Sequence, residues 1–406
     1  MYYYYPENLD LNELLSENPP DFKFKIENFK YLLSLITSIP GRNKQLFLID
    51  GFTPISSRVL KSQIPDYKTY FTYLQHVGII STSPKYTVGG KCKGYKYTEE
   101  HRTPLKSELV VEDRINRFFI NKSDYDLLLD KEHEHLIKWL TPALQIDREA
   151  ALDWSEFTYR GKIEGRIASD YDSKGRKLDP FNQRDQQTFV VDCISRGNFL
   201  PKIDQTGYRF HSALTFLKSE VRNFVSFDGH ELVCLDLKNS QPYLSTAIFN
   251  QGFWTKNPNL FNIYEIYSGE CRDYLLSSLG TCSPMLSKMD KIRSSHGFQR
   301  YVSDVTTPGF YLRFFEAHGP FENSDYRLDS MIDTVADLKT AFLTYFNPSY
   351  RYSSSIKSTI KADYPELHFI VRELKRIDRQ SEFSTFLHAI ESTVVLFKIC
   401  KRAINR

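Results

Sequence analysis

Long apolar runs, paired cysteines and net charge are all scarce in this 406-residue chain. No stretch approaches the roughly 20 apolar residues that carry a helix across a bilayer, so no membrane partner is expected. The six cysteines (Cys92, Cys193, Cys234, Cys271, Cys282, Cys400) are scattered without a CxxC pair. That spacing argues against a structural zinc site and for reduced thiols in a cytosolic compartment. The first residues, MYYYYPENLD, have neither the basic nor the apolar region of a secretion signal, and the expected location is the cytoplasm of a host cell. With 53 Lys and Arg against 50 Asp and Glu, the net charge is only +3. So small a balance names no polyanionic partner, and any nucleic-acid site must come from local clustering.

Aromatic residues, by contrast, are abundant: 26 Tyr and 30 Phe. For any single ring, core packing outweighs base stacking as an explanation. Hydrophobic residues at 41% and charged residues at 25% describe a globular chain with a sizeable core. The length allows two or three domains, and the expected class is α+β with segments 1–100, 101–200 and 201–406. There is no internal repeat, and no low-complexity segment beyond the N-terminal tyrosines.

In 1–100, FKFKIENFKYLLSLITSI has helical periodicity, and SSRVLKSQI and YKTYFTYLQHVGII continue as short helices. After Gly78 the pattern turns strand-like, with Gly89-Gly90 as a hairpin turn. Short helices followed by a basic hairpin are the order of a winged-helix module. SSRVLK, YLQHVGII and GGKCKGYKY resemble the winged-helix domains ahead of some phage and plasmid replication proteins. The resemblance implies phosphate contacts from Lys91, Lys93 and Lys96; packing or protein contact is the alternative use of such a module.

Within 101–200, a connector with a thumb-like basic region, KEHEHLIKWL invites a metal reading. On a helix, however, His133 and His135 at i, i+2 fall on different faces, so a solvated helix is expected. Residues 151–200, rich in Arg, Lys and Gly, read equally as a solvated connector or a basic groove wall.

The chemistry concentrates in TGYRFHSALTFLKSEVRNFVSFDGHELVCLDLKNSQPYLSTAIF, residues 206–249. VCLDL reads as a buried strand that aims Asp236, and Asn239 or Ser240 as the cap of a helix that accommodates Pro242 in its first turn. The order of elements resembles family A DNA polymerases, in the DLKNSQP form found in proteins of phages and mobile elements. By that resemblance Gly207 and Arg209 stand for a Thr-Gly-Arg element, Arg222 for an arginine before the Gly229 turn, and Asp236 for the first catalytic, Mg²⁺-binding aspartate. Nucleotidyl transfer needs carboxylates that hold two Mg²⁺ ions. Gln241 then takes the place of a glutamate that crowds the sugar 2′ position, which favours dNTPs.

Residues 332–346, IDTVADLKTAFLTYF, resemble the family's nucleotide helix: Lys339 would neutralise triphosphate charge, with Phe342 and Tyr345 at the base. An amphipathic core helix explains the same aromatics nearly as well. LHAIES, with His388 and Glu391, and the preceding helix with Arg372 resemble the template-primer side of the same group. The hairpin carrying the family's second catalytic carboxylate is not found in the 406 residues. The resemblance therefore leaves three expectations: a further segment supplies it, a second polypeptide supplies it, or catalysis is lost. The implied activity is Mg²⁺-dependent, template-directed addition of dNTPs to a DNA primer 3′ hydroxyl. The alternatives are a non-catalytic DNA-binding initiator or regulator with a degenerate palm, and a relative of single-subunit RNA polymerases.

Overall fold

The four tyrosines at the N-terminus are packing residues. Tyr2–Pro6 is a strand paired antiparallel with Leu105–Leu109, Tyr4 opposite Ser107. Successive side chains of a strand point to opposite faces, and here both faces are covered. Tyr3 and Tyr5 enter one core beside Phe29, whereas Tyr4 enters another and meets the Phe189 ring edge-on at 5.0 Å.

The computed structural model describes residues 1–43, 46, 48–83, 92–120, 126–127, 129, 131–171, 176–204, 207–237, 239–266, 287–320, 334–346, 355–377 and 382–404. Its class is mixed α+β. The chain divides into two compact units, one of 1–126, 137–202 and 211–233, the other of 127–136, 203–210 and 234–406. Residues 1–100 and most of 101–200 thus share one unit.

In the first unit, the helix Ile26–Gly41 buries Phe29, Leu32, Leu33 and Ile36, a helical stripe at i, i+3, i+4 and i+7. There follow a strand Thr53–Ile55, helices Ser57–Gln63 and Tyr67–His76, and strands Ile80–Thr82 and Lys93–Tyr97. The three strands form one antiparallel sheet with Lys93–Tyr97 in the centre, Thr53 opposite Tyr95 on one side and Ile80 opposite Tyr97 on the other. Against this body packs the helix pair Arg148–Ile163 and Pro180–Ser195. Each begins on an aspartate cap: Asp147 accepts from the Ala150 N–H and Asp179 from the Phe181 N–H. Gly41 lets the first helix approach Phe189, since a Cβ there would sit 2.4 Å from the ring.

The second unit is mainly helical, with strand residues at Leu127, Ile203, Asp204 and Phe210. Helices Ser240–Ser245, His296–Thr306, Phe310–His318, Val335–Phe346, Ser355–Asp363, Pro365–Ile377 and Glu382–Ser392 enclose an aromatic core that includes Phe249, Phe253, Trp254, Tyr301, Phe310, Phe342 and Phe386. No helix among the described residues is long and apolar enough to cross a membrane.

Two sequence expectations are corrected. Residues 232–237 do not form a buried strand: the backbone is irregular, with Val233 84% and Leu235 92% exposed. A strand is stabilised by hydrogen bonds to a neighbour, and residues 232–237 belong to none of the sheets among the described residues. His133 and His135 do not lie on a solvated helix face. Both are buried, because each packs edge-on against Phe397 at 5.6 Å, and His135 Nε2 meets the Leu396 carbonyl at 2.8 Å.

Candidate functional site

Two segments that the sequence sets far apart converge in the second unit. Asp204 closes a tight turn, accepting from the Gly207 N–H at 2.5 Å and the Arg209 N–H at 3.3 Å, while its own N–H donates to the Arg209 carbonyl. This places Tyr208 in the left-handed region, φ 54°. The turn docks on the helix Glu382–Ser392: Ser392 Oγ donates to the Gly207 carbonyl at 2.9 Å, and the Arg209 guanidinium donates to Glu391 at 2.7 Å. Glycine at 207 eases this close approach, since a Cβ there would sit 3.1 Å from the His388 Cβ. Burial first, and the Arg209 charge second, push the His388 pKa down, which favours a neutral imidazole. Arg209, His388 and Glu391 therefore form one cluster. Glu391 is engaged in the ion pair with Arg209.

Asp236 is exposed on the irregular segment. The helix expected after it is present as Ser240–Ser245, with Pro242 in its first turn and Gln241 half-buried, and it packs against Glu382–Ser392. Its start differs from expectation. Asn239 is left-handed, φ 56°, and makes no side-chain cap; its amide donates instead to the Val305 carbonyl at 3.4 Å. The helix is held through Pro242, whose carbonyl accepts from Ser245 Oγ and from the Tyr301 hydroxyl. Among the described residues no three His, Cys, Asp or Glu side chains are grouped to hold a metal ion.

The expected nucleotide helix forms as Val335–Phe346 and leaves Lys339 exposed. Its aromatics point elsewhere. Phe342 is wholly buried and meets Phe310, Tyr311 and Phe314 edge-on at 5.3–5.8 Å. Tyr345 is buried with its hydroxyl 3.2 Å from His368 Nδ1. A ring enclosed in a core offers no face to a base, so the core reading of these aromatics prevails in this conformation. Arg372 is exposed, bonded to Glu373 and lying over the Phe369 ring. Arg222 is exposed in the first unit.

The first unit carries a groove of about 460 Å³ between the helix Tyr67–His76 and the central strand Lys93–Tyr97. The helix divides into a buried side (Tyr67, Tyr70, Phe71, Leu74) and an exposed side on which Lys68, Thr72 and Gln75 follow at i, i+4 and i+7. Phe71 stacks on Tyr95 at 3.9 Å and fixes the helix to the sheet. Lys68, Thr72 and Gln75 line the groove with Ser57 and Lys93, and among the described residues no acidic one lines it. Lys93 Nζ lies 5.7 Å over the Tyr95 ring. Lys96 instead points to the other side, donating to the Asp50 carbonyl at 3.2 Å over the Phe52 ring. Lys91 falls outside the described residues.

Sequence reasoning missed a buried ionic network in the same unit. Arg102 makes two bonds to Asp179, 2.6 and 2.5 Å, and Arg184 donates to Asp185 at 3.0 Å and to the Thr103 carbonyl at 2.9 Å. Asp185 is 5% exposed, and burial pushes its carboxyl up to about 7 against the pull of Arg184 and Arg102. No local signal reveals this: Arg184-Asp185 reads as a solvated pair until the packing of Pro180–Ser195 is known. Comparison with protein-family models, with curated proteins and with solved structures finds no match.

Proposed function

We propose that the chain binds duplex DNA through the N-terminal part of its first unit, read as a winged-helix module. The observation that carries this reading is the groove. A helix presents Lys68, Thr72 and Gln75 beside Lys93, with no carboxylate among the described lining residues. The order helix, strand, helix, helix, strand, strand, with the last strand in the centre of the sheet, supports the module reading. Lys68 and Lys93 would meet phosphates, and Thr72 and Gln75, on the same exposed face, would meet base edges. The test is anisotropy of a labelled 20-base-pair duplex across a salt series. Replacing Lys68 and Lys93 together by alanine should weaken binding about tenfold or more at low salt and flatten the log–log salt slope by about two. Equal affinity and slope in the double variant sink the reading.

A second reading, a family A-like polymerase, is favoured by one observation. The turn bearing Arg209 and the helix bearing His388 and Glu391, which the resemblance named separately, are in contact. Primer extension with Mg²⁺ and dNTPs, comparing wild type with Asp236→Ala, decides it. Template-dependent extension lost in Asp236→Ala supports a polymerase. DNA binding without extension, unchanged in Asp236→Ala, leaves the non-catalytic alternative.

A further inference from the structure

The first unit holds a second cationic feature, built from other residues. Lys162, in the last turn of Arg148–Ile163, has a side chain only 3% exposed. Its Nζ donates to Asp170 Oδ2 at 2.7 Å and to Gln183 Oε1 at 2.8 Å. Lys218 donates to the same Asp170 oxygen at 2.6 Å, and Gln183 Nε2 at 2.8 Å. Three donors thus meet on a single oxygen. Burial, with Lys218 adding to it, pushes the Lys162 pKa down. Against the upward push of burial, the two lysines hold Asp170 at about 2.

The donors are the more enclosed groups: the Lys162 side chain is 3% and the Lys218 side chain 22% exposed, against 40% for Asp170. Lys162 and Gln183 belong to the packed helix pair, and the Lys218 backbone N–H is tied to Gln187 Oε1 at 2.8 Å. Asp170 lies on a stretch outside any helix, its carbonyl accepting from the Leu178 N–H at 2.9 Å and its side chain facing solvent in part. Holding down a surface stretch needs one cation. A second buried beside it adds desolvation and repulsion that one carboxylate oxygen offsets poorly. A phosphate offers two or more unshared oxygens, so each ammonium could have its own acceptor.

We propose that Lys162, Lys218 and Gln183 form a phosphate site, closed by Asp170 as an internal anion and opened to a backbone phosphate of bound nucleic acid. The nature of this occupant rests on the DNA-binding reading above.

The full-length chain tests it in two arms. In the first, thermal unfolding is followed in inorganic phosphate and in chloride at equal ionic strength. Asp170→Ala should melt lower than wild type in chloride and recover by about 2–4 °C in phosphate; wild type should not respond. Adding Lys218→Met to Asp170→Ala should abolish the recovery. In the second arm, Asp170→Asn, which keeps the side-chain shape, and Asp170→Ala should bind the labelled duplex about three- to tenfold tighter at low salt, with a salt slope steeper by about one. An Asp170→Ala protein equally destabilised in both anions overturns the site and leaves a structural clamp. Recovery in phosphate with no duplex binding by any form overturns the nucleic-acid occupant and, separately, the reading on which it rests.

Discussion

Asp185 sits in an environment that its sequence context does not announce. Its carboxyl titrates near 7 in the folded chain against an ordinary 3.8, because burial outweighs Arg184. Between about pH 4 and 7 the folded chain keeps a proton that the unfolded chain has released. The stability this group contributes is therefore full below about pH 4 and declines as pH rises to 7. Asp170, held at about 2, has the opposite sign: its contribution is present above 3.8 and lost as pH falls towards 2. Urea unfolding at pH 5 and pH 8 separates the two. Asp185→Asn should gain on wild type by roughly 2 kcal/mol on going from pH 5 to pH 8; a difference independent of pH refutes the protonated state.

At the scale of elements, Phe342 decides between two accounts of Val335–Phe346. If the ring is a core residue, Phe342→Ala costs about 3–5 kcal/mol and lowers the unfolding midpoint of the second unit, whereas Lys339→Ala leaves it unchanged. A Phe342→Ala protein as stable as wild type contradicts the packing described. Helices were legible where a stripe of large apolar residues repeats over three turns or more, as in Phe29, Leu32, Leu33 and Ile36. The hairpin strands were legible from alternation and the helix after Asp236 from its proline. The strand at VCLDL was not, since the same local pattern serves a paired strand and an unpaired segment, and only a neighbour separates them. The two histidines failed for a related reason: an argument about helix faces cannot see Phe397, more than 260 residues away. Arg209 and His388 were singled out separately, but their contact depends on Asp204 and Gly207, whose roles appear only in the folded turn.

The two units are interleaved along the chain, and this sets the behaviour of the whole molecule. Residues 232–237 are irregular and exposed, so limited chymotrypsin digestion should cut early after Leu235. The cut would not release two domains, because the N-terminal fragment keeps residues 127–136 and 203–210 of the second unit. Arg209 with Glu391, Ser392 with Gly207, and His135 with Leu396 still join the two pieces. The nicked protein should elute from gel filtration as a single species and separate only under denaturing conditions. Two native peaks would show that these contacts do not suffice.

Interleaving also imposes a timetable on biosynthesis. Arg209 leaves the ribosome 182 residues before Glu391, and His135 leaves it 261 residues before Leu396. At translation speeds of about 5–20 residues per second, those partners arrive roughly 10–50 s late. The first unit has all of its segments once residue 233 has emerged, so it can complete folding while the early pieces of the second wait, tethered and unpaired, for helices not yet made.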